Sequence, residues 1–157
     1  MKDVPLAEPR QLLPHREPMI LLDRIVLMHT DYLESEVTIK SDTLFLRGGA
    51  VPAWVGVEYM AQTCAAFAGF EAHGRGEEAR VGFLLATRNY RCSVEGFELG
   101  SKLRVRVTLV HRDAGGLSMV EGKITSADSG AQLVEATLTV YEVADLAQFF
   151  RETRGSR

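Results

Sequence analysis

Between residues 51 and 70 the chain carries one charged side chain, Glu58, among Trp54, Val55, Val57, Met60, Ala61, Cys64, Ala65, Phe67, Ala68 and Phe70. A run of about 20 residues this apolar must be buried on most sides, in a membrane or in a protein core. Pro52, Glu58, Gln62 and Thr63 interrupt it, and polar groups in hydrocarbon are expensive, which argues against a membrane span. The remaining solution is a long core helix over residues 51–74, with the rest of the chain packed around it.

The flanking sequence supplies strands to do this. Residues 7–13 read as a short helix ended by Pro14, and 19–28 (MILLDRIVLM) as a strand or strand entry. Residues 32–39 alternate, with Leu33, Ser35, Val37 and Ile39 on one face and Tyr32, Glu34, Glu36 and Thr38 on the other. After the helix come strands over 80–86, 102–111, 117–125 and 133–142, separated by Ala114-Gly115-Gly116 and Asp128-Ser129-Gly130 turns, then a terminal helix from about residue 146. Hairpin-connected strands around one apolar helix predict an α+β fold, an antiparallel sheet wrapped around one long central helix. No linker or repeat divides the chain, so residues 1–157 are read as one domain. Dimerisation is the expected way to close its remaining sheet edge.

Composition removes several classes of function. A formal charge of −3 offers no basic excess for nucleic acid or an anionic membrane. Cys64 and Cys92 make no metal-binding or disulfide pattern, and the first residues, MKDVPLAEPRQ, have no signal-peptide core. The expectation is a cytoplasmic protein with no metal and no cofactor.

On a helix, Glu58, Gln62, Ala65 and Gly69 share one face, polar at one end and small beyond it, as a channel for an extended apolar ligand requires. Burial without a partner favours the neutral acid, which is then ready to give up a proton. The alternative is structural: Glu58 paired with Arg47, Arg88 or Arg91, or turned into solvent. The residues leave both open.

Two segments resemble a known family. LLPHREPMILLDRIV (residues 12–26) is similar to the N-terminal signature of the hot-dog-fold β-hydroxyacyl-[acyl-carrier-protein] dehydratases of fatty-acid synthesis, and PAWVGVEYMAQ (52–62) to their central-helix motif. The Pro-Ala-Trp-Val-Gly segment resembles most the dehydratase-like proteins of aryl polyene clusters. The likeness implies a hot-dog fold and a site completed across a dimer. A histidine of one subunit removes the α-proton, and an acid on the other's helix protonates the departing β-hydroxyl. It implies Glu58 as the catalytic acid, Gln62 as the helix glutamine, and backbone N–H groups at Ala53 and Trp54 polarising the thioester carbonyl. Acyl carrier protein or coenzyme A would carry the substrate, with Arg47, Arg88 and Arg91 as contacts for an acidic carrier.

The family histidine is missing. Its position holds Leu44, and residues 44–49 (LFLRGG) contain no histidine. Loss of a general base costs about 10²- to 10⁴-fold in rate. Three expectations follow: a heterodimer whose histidine-bearing hot-dog subunit supplies the base, a homodimeric thioesterase using Glu58, or a non-catalytic acyl-binding scaffold. His15, within the N-terminal signature, reads as structural, with substitution for the missing base as its alternative role. Cys64 reads as a small core residue.

Overall fold

The computed structural model describes residues 7–155. Helix α1 (Pro9–Leu12) and a segment with a turn at residues 16–19 lead into strands β1 (Arg24–Met28) and β2 (Tyr32–Thr38). Strand β3 (Ala50–Pro52) runs through a 3-10 turn (Ala53–Val55) into helix α2 (Gly56–Gly74). Five further strands follow, β4 (Gly82–Cys92), β5 (Gly96–Glu98), β6 (Lys102–Arg112), β7 (Leu117–Ser126) and β8 (Gln132–Glu142), then helix α3 (Leu146–Gly155).

Six strands form one antiparallel sheet in the order β1-β2-β6-β7-β8-β4, and β3 and β5 pair separately. The α+β expectation holds: the sheet's inner face packs on α2, where Tyr59, Met60, Ala66 and Phe67 are buried against Val105, Val107, Val120, Ile124 and Leu138. Burying a side chain of this kind contributes about 1.5–3 kcal/mol relative to exposure. Helix and sheet approach closely at Gly122, where an added Cβ would stand 2.2 Å from Met60 Sδ. A buried polar contact, Ser35 Oγ to Thr63 Oγ1 at 2.7 Å, ties β2 to α2, and Thr63 also donates to the Tyr59 carbonyl.

The helix is shorter at its start than the apolar run suggests. Val51 and Pro52 belong to β3, opposite Phe97 and Gly96 of β5, so α2 begins only at Gly56. The apolar count is the same either way, and only the pairing with β5 decides it. Residues 19–23 lie outside the sheet, while β4 continues past the predicted residue 86 to Cys92, bulging twice on the way.

On the outer face, Glu34 and Glu36 are buried at 7% and 3% exposure despite pointing away from the core. The register sets them opposite Arg106 and Arg104. Glu36 accepts hydrogen bonds from Arg24 and Arg104, and Glu34 from Arg104 and Arg106. Desolvation pushes the Glu36 carboxyl up, but the hydrogen bond and charge of Arg24, with Lys102 and Arg104, outweigh it and hold the group below the usual carboxylate range.

Candidate active site

The β3–β5 pairing aims the chain into α2 and sets Glu58 in its first turn, where the helix dipole favours negative charge. Glu58 is not enclosed by apolar neighbours as the sequence suggested. Its side chain is 35% exposed, at the rim of a cleft. None of the arginines proposed as structural partners is in an ion pair with it; the only ion-pair contact found for it among the described residues is His15, Nε2 to Oε1 at 3.8 Å.

Gln62, one turn on, is fully buried. Its amide nitrogen donates to Glu58 Oε1 at 2.9 Å and to the Met19 carbonyl at 2.7 Å, and its oxygen accepts the Leu21 N–H at 2.9 Å. Both amide hydrogens are therefore engaged within the chain, and Gln62 does not line the cleft. It fastens the N-terminal segment to α2 and fixes one Glu58 oxygen.

The cleft, of about 170 Å³, runs between α2 and the sheet. Ala61, Cys64, Ala65 and Ala68 form one wall, and Phe83, Leu84, Leu109, Val120 and Val140 another. From Glu58 to Ala68 the helix rises about 15 Å, so the slot suits an extended apolar group with a polar end at Glu58. Cys64 is thus a wall residue and not only core, and burial pushes its thiol up to about 12, where it stays protonated. Arg80 and Arg112 also line the cleft. Arg112 holds Glu71 through two hydrogen bonds of 3.2 and 2.8 Å, which keep its guanidinium above its usual range. Sequence reasoning missed both arginines, because Arg80 lies just before β4 and Arg112 ends β6, and only the folded sheet brings them to the cleft.

The other predicted residues lie elsewhere. Ala53 is buried; its N–H donates to the Glu95 carbonyl at 3.0 Å and its carbonyl accepts the Tyr90 hydroxyl. That removes Ala53 as a donor to a ligand and leaves Trp54 as the turn residue whose N–H has no earlier carbonyl within the turn. The Trp54 ring is 61% exposed, 6.3 Å from that of Phe45. Arg47, Arg88 and Arg91 are exposed and away from the cleft, with Arg91 3.9 Å from Glu135. Leu44 lines a separate cleft with Leu21, Thr43 and Tyr59, so within one chain position 44 and Glu58 open onto different cavities. Among the described residues no group of three or more His, Cys, Asp or Glu side chains could hold a metal ion, and no helix is long and apolar enough to cross a membrane.

The family model described as ApeP-like, ApeP dehydratase, matches residues 7–151. A 3-hydroxyacyl-[acyl-carrier-protein] dehydratase FabZ from Pseudothermotoga lettingae is 33% identical over 131 residues, covering 77% of this chain and 89% of that protein. Among solved structures, the dehydratase heterocomplex ApeI:P from Xenorhabdus doucetiae superposes with a TM-score of 0.86 at 27% identity, over 94% of this chain and 97% of the other. A hypothetical thioesterase with coenzyme A from Streptococcus pneumoniae TIGR4, at 14% identity and TM-score 0.59 over 76% and 84% of the two chains, shares the fold alone. The chain belongs to the ApeP-like dehydratase family, with the hot-dog fold its motifs implied.

Proposed function

We propose that this chain supplies the acid half of a β-hydroxyacyl thioester dehydratase whose base comes from a second hot-dog subunit. The observation that carries the reading is the placement of Glu58: anchored through one oxygen by Gln62, at the rim of an apolar slot, with no histidine at position 44 of its own chain.

In the reaction, the partner's histidine takes the α-proton while Glu58 gives its proton to the β-hydroxyl. The C–H and C–O bonds break, the electron pair left on the α-carbon forms the C=C bond, and water leaves. Glu58 ends as a carboxylate that the helix dipole favours. The Trp54 N–H is the donor proposed for the thioester carbonyl, since Ala53 is engaged with Glu95.

The place proposed for the second subunit is the free edge of β4. Among the described residues this edge strand pairs with β8 alone, and Leu84 and Leu85 on it are 40% and 57% exposed. Heteromeric assembly is named for the ApeI:P structure, and an acyl carrier protein substrate for the FabZ relative; both are carried to this chain as part of the proposal. Arg47, Arg88 and Arg91 are exposed cations that would meet an acidic carrier. The test is hydration of a crotonyl thioester by the chain alone and with a histidine-bearing hot-dog partner. Activity that needs both subunits and is lost with Glu58→Ala supports the reading, and activity indifferent to Glu58 refutes it.

A further inference from the structure

The imidazole of His15 stands over the same Glu58 oxygen that Gln62 holds, and its own far nitrogen has nowhere to bond. His15 Nε2 lies 3.8 Å from Glu58 Oε1, and both side chains line the cleft. Nδ1 is buried and has no hydrogen-bond partner. We propose that His15 is a positioning residue for Glu58: it carries its proton on Nε2, donates it to Oε1 as the acid ionises, and is not the missing base.

The tautomer follows from the orphaned Nδ1. An imidazolium, or a neutral ring protonated on Nδ1, would bury an N–H with no acceptor, which is among the costlier faults in a folded protein. With the proton on Nε2, the buried atom is only an unused lone pair, and the donor faces the carboxylate. A ring so protonated has no free lone pair at the cleft, because Nε2 is occupied and Nδ1 is buried away from it. It therefore cannot accept an α-proton there.

At 3.8 Å the contact is too long for a hydrogen bond, and catalytic contacts in ligand-free proteins commonly shorten when the reacting group gains charge. Two donors, Gln62 Nε2–H and His15 Nε2–H, then converge on Oε1. Hydrogen bonds into Oε1 leave Oε2 as the oxygen that carries the transferable proton. Once that proton has gone to the β-hydroxyl, Oε1 shares the new charge with both donors. This rests on the reading of Glu58 as the dehydration acid, and the experiment separates the two.

Nitrogen-15 spectra of the purified chain, with labelled histidine side chains, report the tautomer without any activity. The expected result is a neutral His15 protonated on Nε2 whose resonance moves with Glu58→Gln. A proton on Nδ1 overturns the proposal. In the two-subunit assay, His15→Gln sets an amide donor where Nε2 stands and is expected within about 3-fold of the wild type. His15→Ala and His15→Asn fall about 10- to 100-fold in kcat with KM little changed, the size of one lost hydrogen bond to a charged group. His15→Gln as poor as His15→Ala, or all three variants fully active, contradicts it. Melting curves identify any variant that fails to fold. If no assembly hydrates the thioester, the dehydratase reading falls, and the tautomer and its response to Glu58→Gln still decide for or against His15.

Discussion

Glu58 Oε1 and Gln62 Nε2 are joined by a 2.9 Å hydrogen bond across one helical turn, and the same amide group holds the Met19 carbonyl and the Leu21 N–H. Glu58, the proposed acid, and the N-terminal segment are therefore held by one buried side chain. Gln62→Leu keeps the volume but orphans both backbone groups, at a cost of about 2–4 kcal/mol. Chemical denaturation should register that loss, and Glu58-dependent hydration should fall with it. A variant as stable as the wild type would show that the segment does not depend on Gln62.

The N-terminal segment that carries His15 touches α2 backbone to backbone. An added Cβ at Gly69 would stand 2.1 Å from the Leu12 carbonyl oxygen, inside any real contact distance. Gly69→Ala must therefore push α1 off α2, and is expected to cost more than about 1 kcal/mol although alanine favours helix. Thermal melting measures the cost. A raised melting temperature would mean that the two backbones do not meet.

The resemblance puts the family's histidine position at Leu44, and in the proposed function the base for Glu58 comes from across an interface. In two copies of this chain paired across the proposed interface, Leu44→His is expected to give a crotonyl thioester hydration activity at least about 10-fold above the chain's own background, a fraction of what a placed general base contributes. Glu58→Ala in that background should abolish it. A gain that survives Glu58→Ala would place the chemistry elsewhere.

The outer-face carboxylates give the stability a dependence on acid. Glu36, held below its ordinary value of 4.5 chiefly by Arg24 against the opposing effect of burial, contributes stability that is fully present above about pH 4.5. That stability is lost as pH falls through the lower folded-state value. Wild type should exceed Glu36→Gln by about 2 kcal/mol at pH 7, with the gap shrinking below pH 4.5 in denaturation series. A gap unchanged by acid would remove Glu36 from the account.

Period-two alternation was enough to find β2, β6 and β8, and the apolar run was enough to find α2, because each pattern is local. What register creates was not legible. Glu34 and Glu36 read as solvent-facing, yet cross-strand Arg104 and Arg106 bury them. Arg80, just before β4, and Arg112, the last residue of β6, join the cleft only once the sheet is folded against α2. His15 read as structural, and no spacing ties residue 15 to residue 58 without Gln62 between them. Glu58 itself stands out in the sequence because it is the only charge in its run.

The central claim is that Glu58 is an acid whose base resides on another subunit. Its most direct measurement is the initial rate of crotonyl thioester hydration for this chain alone, for its histidine-bearing partner carrying an acid-to-alanine change, and for the two mixed. The account predicts activity only in the mixture, falling at least about 100-fold with Glu58→Ala. Hydration by the chain alone at the mixture's rate, or thioester hydrolysis in its place, would contradict it.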